Sequence, residues 1–185
     1  MPEAVGMLYN AAVLKPDTRR AEIIERIADH VLANGLSASS LRPLAKAAGT
    51  SDRMLLYYFA DKAEIVTAAL GVIMQRVVVL MEAQKAPEPL PLAALQPLML
   101  DIILADEMWP YMRVWMEIAL NAAQGDAFYR LLGEQIGRGF LAWGAGQIDS
   151  ATPEQRDADA ARLLVTAEGM MLLKSIGMDD VRRHL

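Results

Sequence analysis

Residues 39–65 read SSLRPLAKAAGTSDRMLLYYFADKAEI, and their punctuation leaves the backbone little freedom. Leu44, Ala45 and Ala48 mark the inner face of a short helix over about 41–48. Ser40 stands at its cap, and Pro43 falls in the first turn, where a missing N–H matters little. Gly49 stops it. A second short helix begins at Thr50 or Ser51 and runs to about Phe59, with Leu55 and Phe59, four apart, facing inward. Two short helices joined by two or three residues around a glycine form a helix-turn-helix pattern.

The flanking segments are also helical by period. Asp17 and Thr18 offer capping oxygens to a helix over about 18–34. Ile23, Ile24, Ile27, Ala28 and Val31 form its apolar stripe, and Asn34-Gly35 closes it. A long helix over about 62–84 is apolar on nearly all sides and is expected to be largely buried. KAPEPLPL then breaks the chain with three alternating prolines. Beyond it the pattern predicts helices at about 92–105, 109–123, 126–147 and 153–176. Strand signals are nearly absent. The fold class expected is all-α: an N-terminal three-helix helix-turn-helix domain followed by a larger C-terminal helical bundle. The predicted division is a tail at 1–14, the helix-turn-helix domain at 15–62, and the remainder at 63–185.

Composition narrows the function classes. The absence of cysteine removes disulfides, thiolate metal sites and cysteine nucleophiles. His30 and His184 stand apart, with no HExxH and no P-loop, so neither an enzyme nor a metal or cofactor site is expected. The start MPEAVGMLYNAAVL has no basic leader before an apolar run. Gln75 and Arg76 interrupt the apolar stretch near 65–81, so the reading is a soluble, cytoplasmic chain with no membrane span. Hydrophobic residues make up 54% of the chain, and mean hydropathy is +0.21, enough for a core with apolar surface left over. Net charge is −5. Through Lys62 there are eight basic and seven acidic side chains, and beyond it 10 and 16, so the acidity lies in the C-terminal part.

The outer face of 51–59 carries the chemistry. Arg53 and Tyr57 lie four apart and project together. Arginine donates bidentately to guanine, and tyrosine hydroxyls bond phosphate oxygens. Lys62 at a helix start is unfavourable for the helix dipole, and a phosphate there would reconcile it. The pattern Leu41-Arg42, Leu44-Ala45, Ala48-Gly49-Thr50-Ser51, Leu55, Tyr57, Phe59 and Lys62-Ala63-Glu64 resembles the N-terminal domain of the TetR/AcrR family of transcriptional regulators, over about residues 18–64. The resemblance implies an interface with a double-stranded DNA operator made by Ser40, Arg42, Ser51, Asp52, Arg53, Met54, Tyr57, Tyr58 and Lys62. Three positions depart from the family's pattern. Leu56 replaces a common tyrosine, Tyr58 a common histidine, and Asp52 a basic or amide residue. Asp52 either accepts from a cytosine amine or favours the helix N-terminus. Tyr58 is either half-buried or outward. Arg19 and Arg20 read as solvated, with phosphate contact the lesser alternative.

The C-terminal part offers Met99, Trp109, Met112, Trp115, Met116 and Met170 at helical spacing. They are either ordinary core or the lining of a cavity for a small, largely apolar effector. Arg113, Glu117 and Asp101 are candidate polar anchors. The glycine-rich helix 126–147 and the helix 153–176, with Leu163, Thr166, Met170 and Leu173 on one stripe, resemble the family's dimerisation pair and imply a homodimer. The resulting expectation is a ligand-responsive regulator, a repressor released by its effector from a near-palindromic operator. The alternative is a helical carrier or sensor of hydrophobic molecules that does not bind DNA.

Overall fold

The computed structural model describes residues 18–185. The expected tail at 1–14, Lys15 and the capping role of Asp17 lie outside them. Among the described residues the chain is helical apart from one isolated parallel bridge between Leu90 and Ile148. The helices are α1 (Thr18–Asn34), α2 (Leu41–Ala47), α3 (Asp52–Tyr58), α4 (Lys62–Gln84), α5 (Leu92–Ile103), α6 (Trp109–Ala123), α7 (Ala127–Ala145) and α8 (Pro153–Ser175). A 3-10 turn follows at Asp179–His184. The sequence placed each helix to within about two residues, because caps, prolines and glycines act locally.

The chain divides into two compact units. The first runs to Leu80 and adds Arg113–Glu117; the second comprises Met81–Met112 and Ile118–Leu185. The first therefore extends past the boundary at 62/63 expected from sequence.

In the first unit α1 buries Ile23, Ile24, Ile27, Ala28 and Val31, the stripe its period predicts. α2 packs against α1 and α3, burying Leu44, Ala45 and Ala48. The turn after α2 is fixed by two backbone bonds. Thr50 N–H donates to the Ala45 carbonyl (2.9 Å) and Gly49 N–H to the Lys46 carbonyl (3.1 Å). This Schellman arrangement needs a left-handed residue, and Gly49 supplies it with φ +66°. α4 departs from the expectation of burial on all sides. It buries a stripe of Ile65, Val66, Ala69, Leu70, Ile73, Val77 and Met81, while Thr67, Gln75 and Val79 are exposed. By length and composition alone α4 could cross a membrane. Its one-sided stripe of buried aliphatics is instead that of a core helix.

In the second unit α8 packs against α7 and α5. Trp143 is buried and its indole N–H donates to Glu82 (2.8 Å). That bond, with the Lys85 ammonium, holds the Glu82 carboxyl below its ordinary range: the Lys85 bond acts most, the Trp143 bond next. Gly133, Gly139 and Gly144 of α7 do not mark an approach that excludes side chains. A Cβ on Gly133 or Gly144 would make ordinary contacts, at 3.6 Å from Ile118 and 3.7 Å from Leu163.

Candidate nucleic-acid interface

α3 is held from inside by few groups. Of its seven residues only Leu55 is buried; Phe59, just past its end, is buried as well. Each such side chain stabilises by roughly 1.5–3 kcal/mol, enough to seat a short helix that would not form alone. Ser51 caps it, its hydroxyl accepting from Met54 N–H at 3.3 Å. Ser40 occupies the equivalent place before α2 but makes no cap bond. The third helical residue there is Pro43, which lacks the N–H that a serine cap bonds. The capping expected of Ser40 is thus corrected, and the residue is exposed.

The C-terminal end of α3 is clamped by Arg20. Its Nε donates to the Tyr58 carbonyl (3.4 Å), its Nη2 to Glu64 Oε1 (2.8 Å), and its guanidinium lies 4.4 Å from the Phe59 ring centroid. Glu64 also accepts from Ala60 N–H (2.6 Å), and Asp61 accepts from Glu64 N–H (2.8 Å). The start of α4 is therefore capped from both sides, in the manner of a capping box. Arg20 is not the solvated residue expected from sequence: it is a structural clamp between α1, α3 and α4. Arg19 does remain exposed, bonded to Glu22 at 3.1 Å.

The cations of the first unit sort into two groups. Arg19, Arg20 and Arg76 pair with carboxylates, Arg76 with both Glu25 and Asp29. Arg26 donates to the Ala48 carbonyl and Arg113 to the Leu32 carbonyl. Among the described residues, Arg42, Lys46, Arg53 and Lys62 have no carboxylate or carbonyl partner, and all four are exposed. They fall on α2, α3 and the first turn of α4. Within the first unit the unpaired cations thus gather in one short stretch, an arrangement that suits an anionic partner.

Nearly all the residues expected to face DNA are exposed. Ser40, Arg42, Ser51, Asp52, Arg53, Met54, Tyr57 and Lys62 are exposed, and Tyr58 is half-buried. The Tyr57 and Tyr58 rings meet edge to face at 5.3 Å. Asp52 is the first residue of α3, where its charge suits the helix dipole. Leu56 also reaches solvent on this helix. The sequence reading marked it only as a departure, although its four-residue distance from Asp52 already placed it on an outer face.

Residues 23–69 match the family model described as bacterial regulatory proteins, tetR family. Over that stretch the chain carries a tetR-family domain. Solved structures of similar fold span nearly the whole chain. A transcriptional regulator from Rhodococcus sp. Rha1 is 23% identical with a TM-score of 0.62, over 83% of this chain and 81% of that one. A protein described as a TetR-family transcriptional regulator from Rhodococcus sp. is 20% identical with a TM-score of 0.65, over 90% and 93%. GusR of Salmonella enterica is 17% identical with a TM-score of 0.59, over 94% and 91%. At these identities the likeness speaks for the TetR-like fold alone. No curated protein matches the chain by sequence.

The effector candidates fall on both sides of the division. Met99, Met112 and Met170 are buried, and they belong with Trp109 to the second unit. Trp109 lies under the Lys174 ammonium, 4.6 Å from its ring centroid. Lys174 also donates to the Leu104 carbonyl. Trp115 and Met116, half-exposed, are counted with the first unit. Of the candidate anchors, Asp101 pairs with Arg182 at 2.7 Å, while Glu117 and Arg113 bond the backbone around the end of α1.

Proposed function

We propose that the chain is a dimeric repressor that binds a near-palindromic operator through α3 and is released by a small, largely apolar effector. The observation that carries the DNA reading is the group of four cations, Arg42, Lys46, Arg53 and Lys62, without a carboxylate partner among the described residues, around an α3 that buries only Leu55. Cations grouped along two short helices and the first turn of α4 suit a polyanion better than an apolar cargo. Arg53 reads a base edge, and Ser40, Arg42, Tyr57 and Lys62 hold phosphates and set the register. The reading places two copies of α3 in successive major grooves about 34 Å apart.

A continuous apolar stripe on α8 supports the dimer. Ala161, Val165, Gly169, Leu172 and Ile176 recur at helical spacing and are all exposed. Val165 and Leu172 are 71% and 60% exposed, and a Cβ on Gly169 would meet nothing within 4 Å. The stripe expected from sequence was Leu163, Thr166, Met170 and Leu173; Leu163 and Met170 are buried within the subunit instead. A second copy, related by a two-fold axis, is the occupant that suits a self-complementary stripe of small and branched side chains. The effector reading rests on Met99, Met112 and Met170, soft side chains able to repack around an apolar ligand.

The test is binding of the purified full chain to DNA from upstream of its own gene, across a salt series and beside an unrelated fragment. Selective binding that weakens steeply with salt supports the reading. Equal affinity for both fragments at every salt, with random-sequence selection yielding no preferred duplex, overturns it.

A further inference from the structure

α3 leaves an unusual amount of apolar surface in water. Met54 is 41% exposed, Leu56 48% and Tyr57 78%, and the only side chain the helix buries is Leu55. A single exposed leucine on a protein surface is ordinary. Leu56 differs because of its neighbours. It lies one helical turn after Arg53, which has no carboxylate partner among the described residues, so the two share a side of the helix. Met54 points about 160° away from Leu56 around the helix axis, on the opposite flank. Tyr57 lies between these flanks and carries a polar tip. Leu56 is therefore the apolar group that accompanies Arg53 toward whatever Arg53 meets.

In the major groove, the one apolar group that base edges present is the C5-methyl of thymine. Its contact partners are small apolar side-chain groups, and a leucine terminus supplies two methyls. We propose that Leu56 is a specificity-determining residue that reads a thymine methyl in each half-site, beside the base pair read by Arg53. The proposal rests on the DNA-binding reading above. The spacing agrees with it: three helical residues rise about 4.5 Å, comparable with a base step of about 3.4 Å. Arg53 and Leu56 thus address neighbouring base pairs. A hydroxylated side chain at position 56 would bond phosphates or bases of either type. Leucine removes that option and leaves only the methyl to be sensed.

The experiment uses uracil, which differs from thymine by that methyl alone. The preferred duplex is first obtained by selection from random DNA with the wild-type chain. Each thymine is then replaced singly by uracil, and affinities are measured for wild type, Leu56→Ala and Leu56→Met. The expected result is one thymine per half-site whose replacement weakens wild type about fourfold, the effect of one buried methyl. The penalty disappears in Leu56→Ala and persists in Leu56→Met. Thermal melting of the variants confirms that both remain folded, as the half-exposed position allows. Uracil penalties equal in wild type and Leu56→Ala, or no penalty at any thymine, overturn the proposal while leaving the repressor reading intact. Failure of wild type to select any duplex overturns both.

Discussion

The carboxylate of Glu117 accepts a hydrogen bond from the backbone N–H of Leu36 at 2.8 Å, across 81 residues of sequence. The same oxygen accepts from Ser37 N–H at 3.1 Å. One turn earlier on α6, Arg113 donates to the Leu32 carbonyl at 2.8 Å. The turn after α1 is thus held by two side chains four residues apart on α6. Replacing Glu117 with alanine leaves these N–H groups without that acceptor and is expected to destabilise by about 1–3 kcal/mol. Glu117→Gln keeps an acceptor oxygen and is expected to lose less. Urea melts of the two variants measure this; equal stability of wild type and Glu117→Ala would show that water replaces the carboxylate without loss.

The tight turn between α2 and α3 predicts a cost for any side chain at position 49. Gly49 has φ +66°, and an added Cβ would stand 3.0 Å from the Arg26 guanidinium. Gly49→Ala is expected to lower stability by about 1–2 kcal/mol, the usual cost of a left-handed residue with a Cβ. Because this turn sets the place of α3, operator affinity is expected to fall with it. Chemical denaturation and DNA titration at one temperature read both effects.

Lys62 and Arg53 differ in what their loss does to DNA binding. Lys62→Ala is expected to weaken all duplexes about equally and to reduce the slope of log affinity against log salt by about 1. Arg53→Ala is expected to relax preference at one base pair, by about 1–3 kcal/mol of discrimination. Affinity measured on the selected duplex and its single-base variants, over a salt series, separates a phosphate contact from a base contact.

The open stripe on α8 predicts the oligomeric state. Val165→Glu or Leu172→Glu places a charge on the stripe without touching the buried Leu163, Met170 or Met171. Each variant is expected to sediment as a monomer at concentrations where wild type is a dimer, with operator affinity reduced at least tenfold because paired half-sites lose their linkage. Sedimentation at several concentrations decides the matter.

Asp159 gives stability a dependence on pH. It is nearly buried beside the α8 N-terminus and accepts from Ser150 (2.9 Å), Gln155 (2.8 Å) and Arg162 (2.8 Å). Burial pushes its carboxyl up, but the bonds from Ser150, Gln155 and Arg162 outweigh it, and the net shift is downward. A carboxyl whose folded pKa lies below its unfolded value stabilises fully above the unfolded value, about 4, and loses that contribution as pH falls through the folded one. Wild type is therefore expected to exceed Asp159→Asn by a constant margin above about pH 5. The margin shrinks below about pH 4. Urea melts of the two chains between pH 7 and pH 3 check the sign.

The sequence by itself determined the helices and the tight turn that joins α2 to α3. Gly49, Ser51 and the spacing of Leu55 to Phe59 act over a few residues, so their consequences are visible without the rest of the chain. The silent cap at Ser40 was misread, although Pro43 three residues later removes the N–H that it would bond. Contacts between distant segments were not. Arg20 and Arg42 are the same residue type in similar helical surroundings, yet one is bound to Glu64 and Phe59 and the other has no carboxylate partner among the described residues. Glu117 was indistinguishable from a solvated charge until α6 met the turn after α1. On α8 the period offered two apolar stripes, and only packing against α7 and α5 decided that Leu163 is buried and Val165 open. Periodicity says that a helix has faces; which face is covered depends on neighbours brought together from elsewhere in the chain.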